Sequence, residues 1–185
     1  GVGERVVGIT DFCTYPPEVN KLPRVGGYID PHFEAILRLA PDIAFLLKEH
    51  GTLKEFLLAH KIRYVEIDNH DIEGIVASFE LIGTACGRAN EGRRLADSMR
   101  LAFQTPSVFS ESGPRVLLCV GRDNAGSGTI STLFAAGPAT FYHRILTVAG
   151  GRNVVEDPRS TYPSFSAEAV MRLNPDIVVD FMPSM

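Results

Sequence analysis

The sequence predicts an α/β protein of two lobes with parallel sheets, joined by a long helical segment. Three observations carry this prediction. Short apolar runs of strand length alternate with amphipathic stretches in both halves of the chain. Helical spacing then persists from Asp71 to Phe103 without an interrupting strand, and a segment near the start of the chain returns near its end.

The bulk composition sets the outer limits. With 185 residues, 45% hydrophobic and 22% charged, the chain can bury one or two cores and is not of disordered composition. A net charge of -4 leaves no basic surplus to neutralise phosphates, so nucleic acid is not expected as a partner. The longest apolar runs, Ile43 to Leu47 and Val116 to Val120, fall far short of the roughly 20 residues of a membrane helix. Gly1 to Arg5 show neither the basic nor the apolar part of a signal peptide, which does not by itself assign the protein to the cytosol. Cys13, Cys86 and Cys119 are widely spaced, odd in number and outside any C-x-x-C arrangement, so they read as small hydrophobes, one pair of which an oxidising compartment could bridge.

Taken in order, Val6 to Ile9 reads as a strand running into a turn-rich stretch from Tyr15 to Pro23. Asp30 reads as an N-cap with Pro31 at the first helical position, and Phe33, Ile36, Leu37 and Ala40 fall on one face of a helix that stops before Pro41. Asp42 to Leu47 is an uninterrupted apolar run, the pattern of a parallel strand covered on both faces. Thr52 to Glu55 fits a capping box opening a helix with Leu53, Phe56, Leu57 and His60 on successive turns, and Tyr64 to Ile67 is the next strand. Across the helical stretch, Gly83, Gly87 and Gly92 break or bend the helix and Pro106 ends or kinks it. Arg115 to Val120 resumes the strand pattern and a glycine-rich loop, Gly121 to Gly128, follows. Thr140 or a neighbour caps a helix closing at Gly150 and Gly151; Ser166 caps another through Leu173; Asp176 to Asp180 is a further buried strand. The regions are thus 1–70, a first lobe; 71–112, a stiff helical spacer; and 113–185, a second lobe.

The repeat is the sharpest signal. The segment EAILRLAPDI starting at Glu34 returns as EAVMRLNPDI starting at Glu168, and the same offset pairs Tyr28 with Tyr162. Proline that stops a helix and aspartate that starts a strand account for part of this similarity, but not for the matching glutamates and tyrosines ahead of them.

At these residues the chain closely resembles the class III periplasmic binding proteins, the cobalamin, iron-siderophore and haem receptors of ABC importers. Val25-Gly26-Gly27 through Pro41-Asp42 resembles that family's first-lobe signature, and Ala149 to Val154, Ser166 to Glu168 and Asn174 to Asp176 resemble its second-lobe signature. The resemblance covers nearly the whole chain and implies two Rossmann-like lobes joined by an interlobe helix. It also implies that a strand and helix precede Gly1 and that a strand and helices follow Met185. An extracytoplasmic location, periplasmic or cell-surface, follows from the same resemblance, as does a permease partner docked through Glu34 and Glu168, one acidic tip per lobe. Two rigidly spaced carboxylates suit charge-assisted contacts with arginine; the plainer reading makes Glu34–Arg38 and Glu168–Arg172 ordinary i, i+4 helix pairs.

A ligand is expected in the cleft between the lobes, at the carboxyl ends of the strands. Tyr15, Tyr28, Phe141, Tyr142, Arg159 and Tyr162 lie in or beside such loops, and tyrosine offers a flat apolar face with a hydroxyl, suited to porphyrin, corrin or catecholate. Tyr28 and Tyr162 are also candidate phenolate ligands of ferric haem. His32, His50, His60, His70 and His143 show no tight ligand spacing, so no bare-metal site and no intrinsic cofactor are expected; the ligand is a metal chelate or corrinoid. Of the five, His143 beside Tyr142 is the one to test against ligand. A stiff connecting helix implies modest hinge motion.

No G-x-S-x-G or H-E-x-x-H set occurs, and the Gly121 to Gly128 loop has neither Walker nor dinucleotide spacing, so the chain is not expected to be an enzyme. The rival reading is a cytosolic α/β enzyme holding a nucleotide or phosphorylated substrate on that loop. A sensor or adhesion module on the same fold is a third.

Overall fold

The computed structural model describes residues 1–104, 112–123 and 131–181. Its contacts divide the chain into two compact units, the first formed by Gly1–Asp68 and Ala77–Arg94, the second by Asn69–Val76 and Leu95–Met185.

In the first unit, α1 (Phe33–Leu39), β1 (Ile43–Leu47), α2 (Gly51–Ala59) and β2 (Arg63–Ile67) follow in order, and β1 and β2 pair in parallel from Ile43–Arg63 to Leu47–Ile67. The intervening helix gives the chain the length a parallel return requires. Ile36, Leu46 and Leu57 are buried together, with Phe33, Phe56 and Tyr64 packed on them. Several element starts differ from expectation. Among the described residues Val6 to Ile9 forms no strand; Ile9 makes one isolated bridge, to Arg24, with the Ile9 amide donating to the Pro23 carbonyl and the Val25 amide to the Ile9 carbonyl. Pro31 bridges to Gly26 and the His32 amide donates to the Val25 carbonyl, so α1 starts later than Asp30 allows and the His32 Nδ1 accepts the capping bond from the Ala35 amide at 3.0 Å. At α2 the chain turns directly after β1, leaving His50 at the N-cap and Thr52 inside the first turn. β1 is also less covered than its composition suggests: Leu46 is buried, but Phe45 is exposed.

The helical stretch consists of two helices, α3 (Ile72–Ala85) and α4 (Ala89–Gln104), parted at Gly87, whose φ is +71°. The other two glycines have a different task. A Cβ on Gly83 would lie 2.8 Å from the Gly92 Cα, and one on Gly92 would lie 2.5 Å from the Phe79 carbonyl oxygen, so the pair lets α3 and α4 touch backbone to backbone. Gly92→Ala must push these helices apart and is expected to lower stability by about 1–3 kcal/mol, read from the midpoint of urea unfolding. The expected kink at Pro106 lies outside the described residues.

The second unit is built on β3 (Arg115–Arg122). β4 (Thr132–Ala135), α5 (Phe141–Val148), β5 (Arg152–Asn153), β6 (Ser164–Ser166), α6 (Ala167–Leu173) and β7 (Ile177–Asp180) complete it. β5 and β7 pair with β3 in parallel, whereas β4 pairs antiparallel with β3 and β6 antiparallel with β4. The sheet is therefore mixed rather than wholly parallel, because the connection from Arg122 to Thr132 is too short for a crossover. Leu117, Cys119, Leu133, Ala135, Val154 and Val155 form the core on one side; Val116, Leu118, Ala136 and Leu146 form another. β7 is open rather than buried, with Ile177 46% and Val178 54% exposed, since it pairs with β3 alone among the described strands.

The sequence repeat is a repeat of structure. α1 and α6 each have a side chain at the N-cap, His32 and Ser166, that accepts a bond from the amide three residues on. Each ends in a left-handed residue, Ala40 at φ 45° and Asn174 at φ 47°, before the proline and aspartate that lead into β1 and β7.

Candidate functional site

The first unit's candidate residues ride on the loop between Ile9 and His32, and the chief organiser of that loop is a residue the sequence reading missed. The Arg24 guanidinium donates to the carbonyls of Thr10 at 2.8 Å and Cys13 at 2.7 Å, and to the Asn20 side chain at 3.1 Å, drawing the turn-rich segment onto one charged hub. Gly26, at φ 91°, sits so close to the Asp30 carbonyl and the His32 amide that no side chain fits there, which explains the glycine before Tyr28. Tyr28 is 50% exposed, and its ring lies 4.6 Å from that of His50. Both His50 nitrogens are buried without a hydrogen-bond partner among the described residues. Tyr15 is 86% exposed and stands apart from this pair.

In the second unit the structure draws three candidates together. The Phe141 and Tyr142 rings stack at 4.0 Å, and Tyr142 meets Phe181, just past β7, at 4.9 Å. Backbone bonds from Gly137 to Thr161 and from Ala139 to Ser160 hold the loop before Tyr162 against the start of α5. Burial, and then the nearby Tyr142, push the Tyr162 hydroxyl above the ordinary phenol range, so it stays a neutral donor at physiological pH. Arg159 does not join the group: it is almost wholly exposed, and among the described residues its side chain reaches only Asp157, at 3.6 Å. Phe181 was missed because it follows the strand pattern by one residue, outside any motif.

At the carboxyl ends of β3 and β7, Arg122 Nε donates to Asp180 Oδ2 at 3.0 Å. This pair is also invisible in the sequence, where its members lie far apart. Gly121 and Arg122 close β3, while residues 124–128 of the glycine-rich loop lie outside the described residues.

Glu34 and Glu168 occupy the first turns of α1 and α6, and both are exposed. Among the described residues neither makes an ion pair, so the i, i+4 pairs with Arg38 and Arg172 do not form. Their acidity complements the positive helix N-termini at modest cost to solvation. Cys13, Cys86 and Cys119 are all free, and among the described residues no group of three or more His, Cys, Asp or Glu is placed to hold a metal.

His143 borders an open groove of ≈ 680 Å³ with Asp71, Glu73, Arg100, Thr140 and Arg144. Its Nδ1 is buried without a hydrogen-bond partner among the described residues, and burial, then the Arg144 charge, hold its pKa below the usual 6.5. The folded protein thus binds this proton less readily than the unfolded chain, so stability falls as pH drops below about 6.5. Thermal unfolding between pH 7 and pH 5 is expected to show a larger loss for the wild type than for His143→Gln; equal losses would place the acid sensitivity elsewhere.

The scaffold is α/β, with an aromatic row in the second unit and an acidic helix tip in each unit. The family model described as periplasmic binding protein matches residues 1–182, and the chain belongs to that family, in its class III form. The vitamin B12-binding protein of Pectobacterium atrosepticum is 25% identical over 181 residues, 97% of this chain and 64% of that protein. An uncharacterized ABC transporter substrate-binding lipoprotein of Bacillus subtilis is also 25% identical, covering 97% of this chain and 57% of its own length. The periplasmic heme binding protein from Pseudomonas aeruginosa shares the fold, with a TM-score of 0.82 at 24% identity over 99% of this chain and 67% of that one. The chain therefore spans less than two thirds of the length of these curated relatives.

Proposed function

We propose that this protein is the extracytoplasmic substrate-binding component of an ABC importer, capturing an iron chelate, haem or a corrinoid and delivering it to the permease. The carrying observation is the duplicated acidic helix tip: Glu34 and Glu168 stand at equivalent places in the two repeats, exposed and without an ion pair among the described residues. Isolated surface carboxylates add little to folding, so their duplication favours a role toward a cationic partner. The relatives named for vitamin B12, heme and ABC transport support the same reading.

On this reading the candidate ligand contacts are Tyr28 in the first unit and Phe141, Tyr142 and Tyr162 in the second, with Tyr15 and Arg159 as lesser candidates. Their rings supply apolar area for a flat macrocycle and their hydroxyls supply orientation. No chemistry is asked of the protein; the driving energy comes from the importer's ATPase. Titration with hemin, cyanocobalamin and a ferric catecholate, followed by absorbance and intrinsic fluorescence, tests this. Micromolar or tighter binding of one of them is expected, weakened about tenfold or more by Tyr162→Ala. If hemin is the one bound, a Soret band unchanged in both Tyr28→Ala and Tyr162→Ala would exclude phenolate ligation. Failure to bind any of the three would refute the receptor reading.

A further inference from the structure

Resting on the receptor reading, we infer that Arg122 and Asp180 form a carboxamide-recognition pair that selects a corrinoid over a dicarboxylate porphyrin. The ground is how differently Arg122 is used from three other partly buried arginines of its unit, Arg115, Arg144 and Arg152. Arg115 donates to the Leu173 and Asn174 carbonyls, Arg144 to the Phe103 carbonyl and Arg152 to the Gly113 carbonyl, each tying backbone to backbone. Arg122 makes no such tie. Its Nε engages the Asp180 carboxylate at 3.0 Å, its side chain is 19% exposed, and its two terminal nitrogens make no hydrogen bond among the described residues.

The position suits ligand contact. Arg122 ends β3 and Asp180 ends β7, two parallel neighbours, so both lie at the carboxyl edge of the sheet. Phe181, the next residue, belongs to the aromatic row with Tyr142 and Phe141. A macrocycle seated on that row brings its peripheral groups to the edge where the pair sits.

The chemistry discriminates between the side chains such macrocycles carry. A guanidinium already countered by a carboxylate has little net charge to offer an anion, and Asp180 repels an approaching propionate. A primary carboxamide meets no such repulsion. Its carbonyl accepts from the terminal N–H groups of Arg122 while its NH₂ donates to a carboxylate oxygen of Asp180, a two-point match between planar groups. Corrinoids carry a periphery of carboxamides; haem carries two propionates.

The test compares cyanocobalamin and hemin on the purified protein, by direct titration and mutual competition. The wild type is expected to prefer cyanocobalamin by about tenfold or more. Asp180→Asn leaves the Arg122 charge uncountered and is expected to shift the preference toward hemin by about tenfold or more. The double variant Arg122→Gln with Asp180→Asn keeps donors and acceptors without charge, and so guards against a folding defect from an unpaired arginine. It is expected to lose most of the preference for cyanocobalamin over hemin, since the charge that repels a propionate is gone, and a double variant with the wild-type ratio overturns the assignment. A wild type that prefers hemin, or an Asp180→Asn variant with an unaltered ratio, overturns the assignment while the receptor reading stands. A protein that binds neither macrocycle but takes up the ferric catecholate overturns it in the same way, and binding of none of the three removes both.

Discussion

Alanine at both Glu34 and Glu168 is expected to abolish import while leaving ligand affinity within about twofold, because both are exposed first-turn helix residues that make no ring contact or ion pair among the described residues. A charge-assisted hydrogen bond contributes about 1.5–3 kcal/mol, so losing one contact at each tip weakens a receptor–permease complex by about 10² to 10⁴-fold. Each single substitution should fall near the geometric middle, since each removes one of two contacts made to the same partner. Folding should barely notice: an acidic residue in a first helical turn stabilises by about 0.3–1 kcal/mol. The measurement is receptor-stimulated ATPase activity of the permease in vesicles, with ligand titration alongside. Wild-type stimulation by the double variant would remove the reason to read the tips as docking points.

Leu117→Ala should be the most damaging single core substitution, costing about 3–5 kcal/mol of folding stability. Leu117 has no exposed surface and sits mid-strand in β3, to which β4, β5 and β7 all pair. Its neighbours Leu133, Val154 and Val155, with Val170 and Leu173 of α6, come from separate parts of the chain and cannot all relax into the cavity. Denaturant unfolding watched by circular dichroism would measure the loss. A change below about 1 kcal/mol would mean that this cluster is far softer than its burial implies.

The elements legible in the sequence were those with local causes. Leu-x-Pro-Asp marked the ends of α1 and α6 because proline and a left-handed exit act on the residues beside them. Apolar runs marked β1, β2, β3 and β7 for the same reason. β4 and β6 went unseen, since Thr132–Ala135 and Ser164–Ser166 are too short to show a period and exist through pairing with distant strands. The glycines of the helical stretch were legible as special but not in kind. Only Gly87 breaks a helix, whereas Gly83 and Gly92 serve a contact that requires knowing which helix packs on which. At the candidate site, Tyr142 and Tyr162 were accessible as loop aromatics, while Arg24, Arg122 and Asp180 were not. Their roles depend on partners such as Thr10 and Cys13, or on each other across the fold, and a charge in a sequence does not disclose its partner.

The left-handed exit at Asn174 has a mechanical consequence. With the dihedral angles of Asn174 fixed and Pro175 following, α6 passes into β7 through a joint that has almost no give. Glu168 at one extremity and Asp180 with Phe181 at the other are then opposite ends of a single short strut. Only Asn174, Pro175 and Asp176 separate the helix that carries the acidic tip from the strand that ends at the sheet edge.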